Sequence, residues 1–464
     1  MDVQQRGDAL HRTVKLALDT GEASSVEEAE RLFAGYRLLL EVGPDIAHSP
    51  TLQAALLTAV NTGRRCFLGG VQVVGKLNVP LRIPWRHCRT LGEAIIDLQG
   101  EIVAVANPLL PRIIFGDVKS TFRNKSFAVR ATFNGWAGGV IPLEDTRRLA
   151  EQQEFTPSGV LAGAISVSEA FQFTRGSNAQ AGRRAIGLSL WRPEEETTWQ
   201  GSLATGPSLE ILPSQLWLIG LGHLGQAYLW TLGLLPYADP KDVQLVLQDF
   251  DALIPANDST SLLTNHAILG EKKTRAMAHW CEARGFQTTI YERRFCDNFR
   301  VDGDEPSIAL CGIDNALGRA ALENVGFRRV IEAGLGRGTE EYLAFQVHTF
   351  PARRAARERW SGVSEGSATE NMLSFPAYQS LAAAGLDQCG LTMLAGRSVG
   401  ASFVGAATAA IVIAELLRMV MGEHRYEVID GTLRSLKTLQ AIQREGPSIP
   451  FNPGYTGARA QPEE

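Results

Sequence analysis

The chain has 464 residues, of which 45% are hydrophobic and 20% are charged, and its formal net charge is −5. This composition predicts two or three folded globular domains and excludes both a single small module and dominant disorder. The negative charge gives no global electrostatic footprint for nucleic acid or for an anionic membrane, so we expect neither as a partner. The six cysteines form no CxxC pair, so we expect no zinc site and no disulfide framework, and cytoplasmic localisation is the default.

The first half is predicted to be mixed α/β. Its N-terminal residues resemble neither a signal peptide nor an anchor. A capping box at Ser25 and apolar residues recurring over 26–39 predict an amphipathic helix, and a second helix starts at Pro50. Strand-like runs, a small-residue helix and a last strand follow: CFLGGVQVV, EIVAVA, RIIFG, FAVRATF, GVLAGAISVSEAFQ and AIGLSLW.

The second half begins after the aperiodic stretch WRPEEETTWQGSLATGPSLEILPS, which is typical of a domain boundary. From Leu216, the apolar runs LWLIG, VQLVLQD, SIALCG and RRVIEAG alternate with helical stretches, as in a parallel sheet with crossover helices. The apolar run 403–414 is too short to span a bilayer and predicts a buried helix. The expected domains are therefore 1–205 and 206–445, followed by an extended tail, 446–464.

A faint internal repeat links the halves. VRATFNG in the first half resembles VIEAGLG in the second, and a small-residue helix follows each, GAISVSEAF and AAIVIAELL. Either the chain contains a duplicated α/β unit whose first copy lost its nucleotide loop, or two buried strand–helix segments are similar by chance.

A glycine turn is the first chemical signal. LWLIGLGHLGQAYLWTLGLL is typical of a strand, a turn and a helix, and Gly220, Gly222 and Gly225 fit GxGxxG. Such a turn lets the backbone approach phosphates and directs a helix N-terminus at negative charge. The next strand ends in Asp249, where a carboxylate can accept hydrogen bonds from a ribose. NAD and ATP fit this much equally well.

The residues beyond Asp249 favour ATP. Asp251 and Asn257 follow it, Lys273 leads a helix, and Asp314-Asn315 follows a third strand. A dehydrogenase has no evident need for these side chains at one sheet edge, whereas attack of a carboxylate on ATP needs cations and a metal to neutralise the triphosphate. Simpler alternatives stay open: a solvated lysine, a turn asparagine, and a helix cap at Asp314-Asn315.

At these residues the sequence resembles the adenylating enzymes of the ThiF/MoeB/ubiquitin-activating superfamily. Their pattern is a GxGxxG turn, a DxD followed by SN-x-x-R, a GxxK helix start and a DN-x-x-x-R. The resemblance covers roughly 216–436 and implies a Rossmann-like adenylation domain, preceded by a degenerate copy or recognition domain. The resemblance also implies a role for each site residue. Gly220, Gly222 and Gly225 would hold the phosphates, Asp249 would bind the ribose, and Asp251 and Asn257 would line the nucleotide site. Lys273 would contact a phosphate, Asp314 would position magnesium, and Arg319 matches the arginine of the DN-x-x-x-R motif.

The sequence departs from the family pattern at Thr260, where the family usually has an arginine that supports the pyrophosphate leaving group. Another cation must then substitute, or adenylation is weakened. Arg183 and Arg184 would serve if the first half packs against the site as a partner subunit does in relatives.

Cys389 is the expected nucleophile. The family carries a cysteine between the third strand and the last buried helix, and Cys389 is the only one in 351–396. A thiolate is a good nucleophile whose acyl product stays energy-rich. The alternatives are a packing role for Cys389 and a hydroxyl nucleophile, either Ser402 or a serine of SGVSEGS. Cys311, at a strand end, is expected to be packing.

The resemblance implies ATP-dependent adenylation of the C-terminal carboxylate of a ubiquitin-like protein, followed by thioester formation or transfer to a conjugating-enzyme-like partner. ATP and magnesium are the expected cofactors, and a JAB-type peptidase is an expected companion in bacteria. The chain would form an internal pseudo-dimer or pair with a second copy. Two rivals remain: an NAD-dependent oxidoreductase, and a catalytically inactive nucleotide-binding scaffold, which the missing arginine supports.

Overall fold

The computed structural model describes residues 7–85, 87–118, 127–194, 199–361, 373–383, 385–386, 388–422, 426–443 and 450–459, and of residues 388–389 the backbone only. The first large sheet contains β1 Leu38–Val42, β2 Val71–Gly75, β3 Glu101–Ile102, β4 Arg112–Phe115, β5 Ala128–Asn134, β6 Ala137–Pro142 and β7 Ile186–Ser189. Its order is β3-β2-β1-β4-β5-β6-β7. The strands from β3 to β5 in this order are parallel, and β6 and β7 are antiparallel.

The second large sheet contains β9 Gln215–Ile219, β10 Gln244–Gln248, β11 Gln287–Tyr291, β12 Ile308–Cys311, β13 Arg329–Leu335, β14 Ala344–Phe350, β15 Tyr426–Thr432 and β16 Gln440–Gln443. Its order is β11-β10-β9-β12-β13-β14-β15-β16, with five parallel strands followed by three antiparallel ones. Counted from its own first strand, it repeats the order of the first sheet and adds one strand. The repeat is therefore a duplicated α/β unit, and the predicted α/β class is confirmed.

The helices connect and cover these sheets. They are α1 Lys15–Asp19, α2 Val26–Ala34, α3 Pro50–Gly63, α4 Leu91–Asp97, α5 Thr156–Thr174, α6 His223–Gly233, α7 Pro255–Asp258, α8 Lys273–Glu282, α9 Ala316–Ala320, α10 Gly338–Glu341, α11 Ala356–Trp360, α12 Pro376–Ala383, α13 Gln388–Gly396 and α14 Ser402–Val420. Short 3-10 turns lie at Pro44–Ala47, Ser202–Ala204, Pro240–Asp242, His266–Ile268 and Leu436–Thr438.

The two halves share one core. Helix α5 packs on β5 and β6 of the first sheet, α14 packs on β13 and β14 of the second, and the two helices pack against each other. Every residue of α14 is buried, so this helix, although long and apolar enough to cross a membrane, lies inside the protein. The prediction of a buried helix here is confirmed, and the halves form a pseudo-dimer within one chain.

One helix was predicted too long. The apolar spacing over 26–39 continues past the real end of α2 at Ala34, and β1 begins at Leu38. Helical and strand patterns overlap at this point by coincidence. The run LLLEV is buried along its whole length because it is a central parallel strand.

The tail forms a small sheet with the start of the second half. In the described residues 450–459, β17 Tyr455–Gly457 pairs antiparallel with β8 Ile211–Pro213. The amides of Ser214 and Gln215 donate to the carbonyl of Pro453, which extends this attachment. The tail is thus extended where it is described, and it is fixed to the entry of β9.

Candidate functional site

The glycine turn of 220–225 connects β9 to α6 and requires glycine at two positions. Gly220 has φ +83°, a left-handed conformation that side chains rarely adopt. A Cβ on Gly225 would lie 1.9 Å from the carbonyl oxygen of Gly220, so only glycine lets α6 approach the turn this closely. The turn places the N-terminus of α6 at the carboxyl end of β9.

A cavity of about 390 Å³ opens at this sheet edge, where β9 and β12 are neighbours and the strand order reverses. Such a switch point is where open α/β sheets bind ligands. Of the predicted site residues, the structure brings six to the cavity wall: Gly220, Gly222, Asp249, Asp251, Asp314 and Arg319. Gly225 lies just behind the wall.

Asp249 organises the turn. Its Oδ2 accepts a hydrogen bond from the Leu221 amide at 2.7 Å, and its Oδ1 accepts one from the Asp251 amide at 2.9 Å. The carboxylate therefore fixes the glycine turn from the neighbouring strand. Its role towards a ribose stays a prediction.

Lys273, at the start of α8, lies beside the cavity and not in its wall. Its Nζ is 2.9 Å from Oδ2 of Asp251 and 3.7 Å from Oδ2 of Asp249. The lysine side chain is only 10% exposed, so the ammonium compensates two carboxylates in a poorly solvated position. Contact with a phosphate would require Lys273 to exchange one of these carboxylate contacts.

Asp314 is the carboxylate at the cavity that fits a metal. It is exposed, and no side-chain partner is found for it among the described residues. Asn315 instead caps α9, because its Oδ1 accepts from the Gly318 amide at 2.6 Å. The described residues contain no group of three or more histidine, cysteine or acidic side chains that could hold a metal by themselves. One carboxylate suits Mg²⁺ delivered with substrate phosphates.

Arg319 lies in the cavity wall and is held there by a backbone carbonyl and a buried carboxylate. Its Nε donates to the Ile313 carbonyl at 2.8 Å and lies 3.0 Å from Oε1 of Glu332, a fully buried carboxylate on β13. The other Glu332 oxygen is 2.8 Å from Nδ1 of His348 on β14. This buried network fixes the position of Arg319. Sequence reasoning missed Glu332, which lay inside a strand-like apolar run.

The cavity is also lined by three arginines that no sequence motif indicated. Arg293, Arg294 and Arg337 line it, and the Arg294 guanidinium lies 4.5 Å from the centre of the Phe250 ring. They lie on segments that follow β11 and β13, so only the folded sheet brings them to the same edge as the glycine turn.

Two helix N-termini meet at the cavity. Besides α6, the longer helix α14 begins there, with its N-cap residue Ala401 in the wall and no side chain capping it. Aligned peptide dipoles at such termini favour anions. His223, the first residue of α6, also lines the cavity, and burial lowers its pKa to about 4, so this imidazole is neutral near pH 7.

Thr260 is buried against this region, and an arginine from the first half lies close by. Gly400 in the cavity wall approaches both Thr260 and Arg12, and the Arg12 amide donates to Oγ of Ser259 at 3.1 Å. Nη1 of Arg12 is buried, and no hydrogen-bond partner is found for it in the described part of the chain. Burial, together with the nearby Arg397, lowers the pKa of Arg12 to about 10.

Three sets of predicted site residues lie away from the cavity or are inaccessible. Arg183 and Arg184 line a different cavity, so they do not replace the arginine missing at Thr260. Ser402 is fully buried and donates to the Thr62 carbonyl, so it is not an accessible nucleophile. Asn257 does not line the cavity, because its Oδ1 accepts from the Ile254 amide and closes a turn.

Cys389 belongs to α13, and its side chain lies outside the described atoms. Helix α13 ends at Gly396, two residues before Ser398, which lies in the cavity wall. Of the serines in SGVSEGS, only Ser361 is among the described residues. Cys311 is fully buried, and burial raises its pKa to about 12, which confirms its packing role.

The equivalent edge of the first sheet carries a carboxylate where a phosphate would need donors. After β1, Asp45 accepts two hydrogen bonds from the Asp117 amide, at 2.8 and 3.0 Å. Arg148 pairs with both carboxylates, at 3.3 Å from Asp45 and 3.7 Å from Asp117. Anions of the protein itself thus occupy the switch point of the first sheet.

Comparisons with known proteins match both halves. A family model described as the BilD N-terminal domain matches residues 37–190, and the BilD C-terminal domain matches residues 212–423. A protein of Collimonas sp. (strain OK412), described as Bacterial E1-like protein BilD, is 42% identical over 451 residues. That match covers 97% of this chain and 96% of the Collimonas protein.

Two solved structures also match parts of the chain. PaaA is 15% identical, with 50% of this chain and 72% of that chain covered and a TM-score of 0.31. E. coli MccB is 12% identical, with 68% and 93% covered and a TM-score of 0.34. Overlays with TM-scores this low carry no argument, whereas the similarity to the Collimonas protein spans nearly the whole sequence. The chain belongs to the BilD family of bacterial E1-like proteins.

Proposed function

We propose that the second half binds ATP with magnesium and adenylates the C-terminal carboxylate of a ubiquitin-like protein. One observation carries the proposal: a single cavity joins the glycine turn, two helix N-termini, several arginines and the exposed carboxylate of Asp314. A nicotinamide site would use the turn and Asp249 but leaves the other groups without a task. The E1-like description of the Collimonas protein supports adenylation and does not name a substrate.

Attack of a carboxylate on the α-phosphate brings two anions together, so the site must supply positive potential. Arg319 and Arg337 lie in the wall near Asp314, and the N-termini of α6 and α14 add oriented N–H donors. Fixed donors of this kind cost no reorganisation when charge develops. Arg319 is the most firmly held of these groups, because Glu332 and the Ile313 carbonyl both bind it.

Arg12 is the cation that we assign to the place left by Thr260. It comes from the first half, as a partner subunit would supply it. Its Cβ lies close to Gly400, a residue of the cavity wall, whereas Arg12 itself does not line the cavity. Its buried and unpartnered Nη1 is a donor for a leaving pyrophosphate oxygen. The proposal therefore gives the first half a task at the active site although its sequence has no GxGxxG turn.

Asp314 would hold magnesium, which neutralises phosphate charge when bound. Lys273 would exchange its contact with Asp251 for a phosphate oxygen, and Asp249 would keep the turn in place.

The sulfur of Cys389, or the nucleophile of a conjugating-enzyme-like partner, would then attack the acyl carbon of the adenylate, so that the bond to the phosphate breaks and AMP leaves. Cys389 lies seven residues before the end of α13, a distance of about 10 Å along a helix, and α13 leads directly into the cavity wall. A cytoplasmic location and pairing with a second copy belong to the same proposal.

The test uses ATP labelled on its α-phosphate, magnesium, and a ubiquitin-like protein encoded beside this chain. We expect label on the protein and release of pyrophosphate, and no reaction when the C-terminal carboxylate of that protein is amidated. A thiol-sensitive adduct should also form, disappear in Cys389→Ala, and persist in Cys296→Ala, which removes a partly exposed thiol elsewhere in the second half.

Two outcomes would defeat this proposal. One is an absence of labelled protein and of pyrophosphate with every neighbouring carboxylate partner, together with binding or oxidation of NADH, which favours an oxidoreductase. The other is ATP binding without any cleavage, which favours an inactive scaffold.

A further inference from the structure

A second cavity, of about 420 Å³, is separate from the cavity at the glycine turn. It forms where β6 ends at Pro142 and β7 begins at Ile186, and the turn Leu436–Thr438 of the second half contributes to its wall. Because β6 runs antiparallel to β5, its last residue lies at the edge where the parallel strands begin. No residue of its lining also lines the cavity at the glycine turn.

The lining of this cavity is strongly basic. Four cationic side chains, those of Arg147, Arg183, Arg184 and Lys437, face one carboxylate, Asp145. Asp145 is already bound, since Arg147 donates to both of its oxygens, at 2.7 and 3.0 Å, and these hydrogen bonds lower its pKa. The negative charge of the lining is therefore neutralised within the lining itself.

The remaining cations differ in how they are held. The Arg184 guanidinium is fixed between buried Glu169, at 3.5 Å, and the carbonyl of Arg434 in the second half. The exposed side chains of Arg183 and Lys437 have no partner among the residues that the structure describes. Two positive charges, one from each half, are thus left uncompensated at the cavity.

An apolar surface backs these charges. Trp199 lines the cavity, is 5% exposed, and packs directly on the backbone of β6 and β7 because Gly139 and Gly187 leave room for its ring. Guanidinium groups match the oxygens of carboxylates and phosphates in pairs.

We propose that this cavity binds a small polyanion that carries at least two negative charges on carboxylate or phosphate oxygens. Such a ligand bridges Arg183 of the first half and Lys437 of the second. The cavity volume falls in the range of small-molecule sites, about 300–1,000 Å³. This inference stands independently of the adenylation chemistry, since the two cavities share no residue.

The test is calorimetric titration of the full-length protein with inorganic phosphate and, separately, with citrate, at about 0.15 M salt. We expect saturable binding of at least one probe, and the stronger probe identifies the ligand as phosphate or carboxylate. The double variant Arg183→Ala/Lys437→Ala should bind at least tenfold more weakly, with an unchanged unfolding temperature because both side chains are exposed.

A matched control fixes the location. Lys241→Ala/Arg357→Ala removes the same charge from exposed positions outside both cavities and should bind like the wild type. The proposal is overturned if neither probe binds the wild type, or if Arg183→Ala/Lys437→Ala binds as tightly as the Lys241→Ala/Arg357→Ala control.

Discussion

Glu332 illustrates how one buried residue sets the geometry of the candidate site. It reaches Arg319 with one oxygen and His348 with the other, and it is fully buried in the middle of β13. A buried charge without partners would be very costly, so Arg319 and His348 are needed as much by Glu332 as it is by them. The position of Arg319 at the cavity is thus coupled to the stability of the second sheet.

We predict that Glu332→Gln destabilises the protein by about 3 kcal/mol, because it removes the fully buried charge that compensates partly buried Arg319. Urea denaturation measures this loss. Glu358→Gln, an exposed carboxylate on α11, serves as the matched control and should leave the unfolding free energy unchanged. Equal stability of the two variants would show that Glu332 does not anchor Arg319.

Sequence reasoning could identify Arg319 and not Glu332. Arg319 lies at a fixed spacing from Asp314, and this spacing is local and visible in a motif. Glu332 acts across two strands, and within the run RRVIEAG it resembled one polar residue in a buried strand. The contact exists only because β13 and β14 place Glu332 and His348 opposite each other.

At the scale of elements, the glycine turn was the most predictable part of the molecule. Its chemistry depends on residues within six positions of one another, so the strand, the turn and the start of α6 could all be placed from the sequence. β1 could not, because the helical spacing of α2 continued into it by chance.

Within this turn, we predict that one alanine substitution lowers the stability of the protein and that another weakens ATP binding. Gly225→Ala forces a Cβ against the Gly220 carbonyl and should destabilise the protein by about 1–3 kcal/mol. Gly222→Ala meets no atom within 4 Å, so the fold should persist while its methyl group, placed at the cavity wall, weakens ATP binding. Thermal unfolding and ATP titration separate the two effects. Similar unfolding temperatures for the two variants would contradict this account.

The duplicated helices show why the repeat was detectable. Glu169 in α5 accepts a hydrogen bond from the Gly182 amide, and Glu415 in α14 accepts one from the Tyr426 amide. Each buried glutamate therefore binds the chain near the start of the strand that follows its helix. These glutamates, Glu169 and Glu415, lie in the matching sequence segments SEAF and AELL.

At the scale of the whole molecule, the duplication lets the same position be compared in the two sheets. Both sheets have the same strand order, and α5 packs on α14 where the two copies meet. The first copy carries Asp45 at its switch point, whereas the second carries the glycine turn and its cavity. The sequence indicated that only the second copy keeps a nucleotide turn. It could not show that Arg12 of the first half reaches the second, because that contact crosses about 250 residues of chain.

The duplication also supplies the most direct test of the central claim, that ATP and its metal bind at the switch point of the second sheet and not at that of the first. Asp314 and Asp117 each follow the fourth strand of their own sheet. ATP–pyrophosphate exchange, driven by the neighbouring ubiquitin-like protein, should fall about a hundredfold in Asp314→Asn, which removes the metal-binding charge. It should stay at the wild-type level in Asp117→Asn. Equal loss in both variants, or full exchange in Asp314→Asn, would contradict the account.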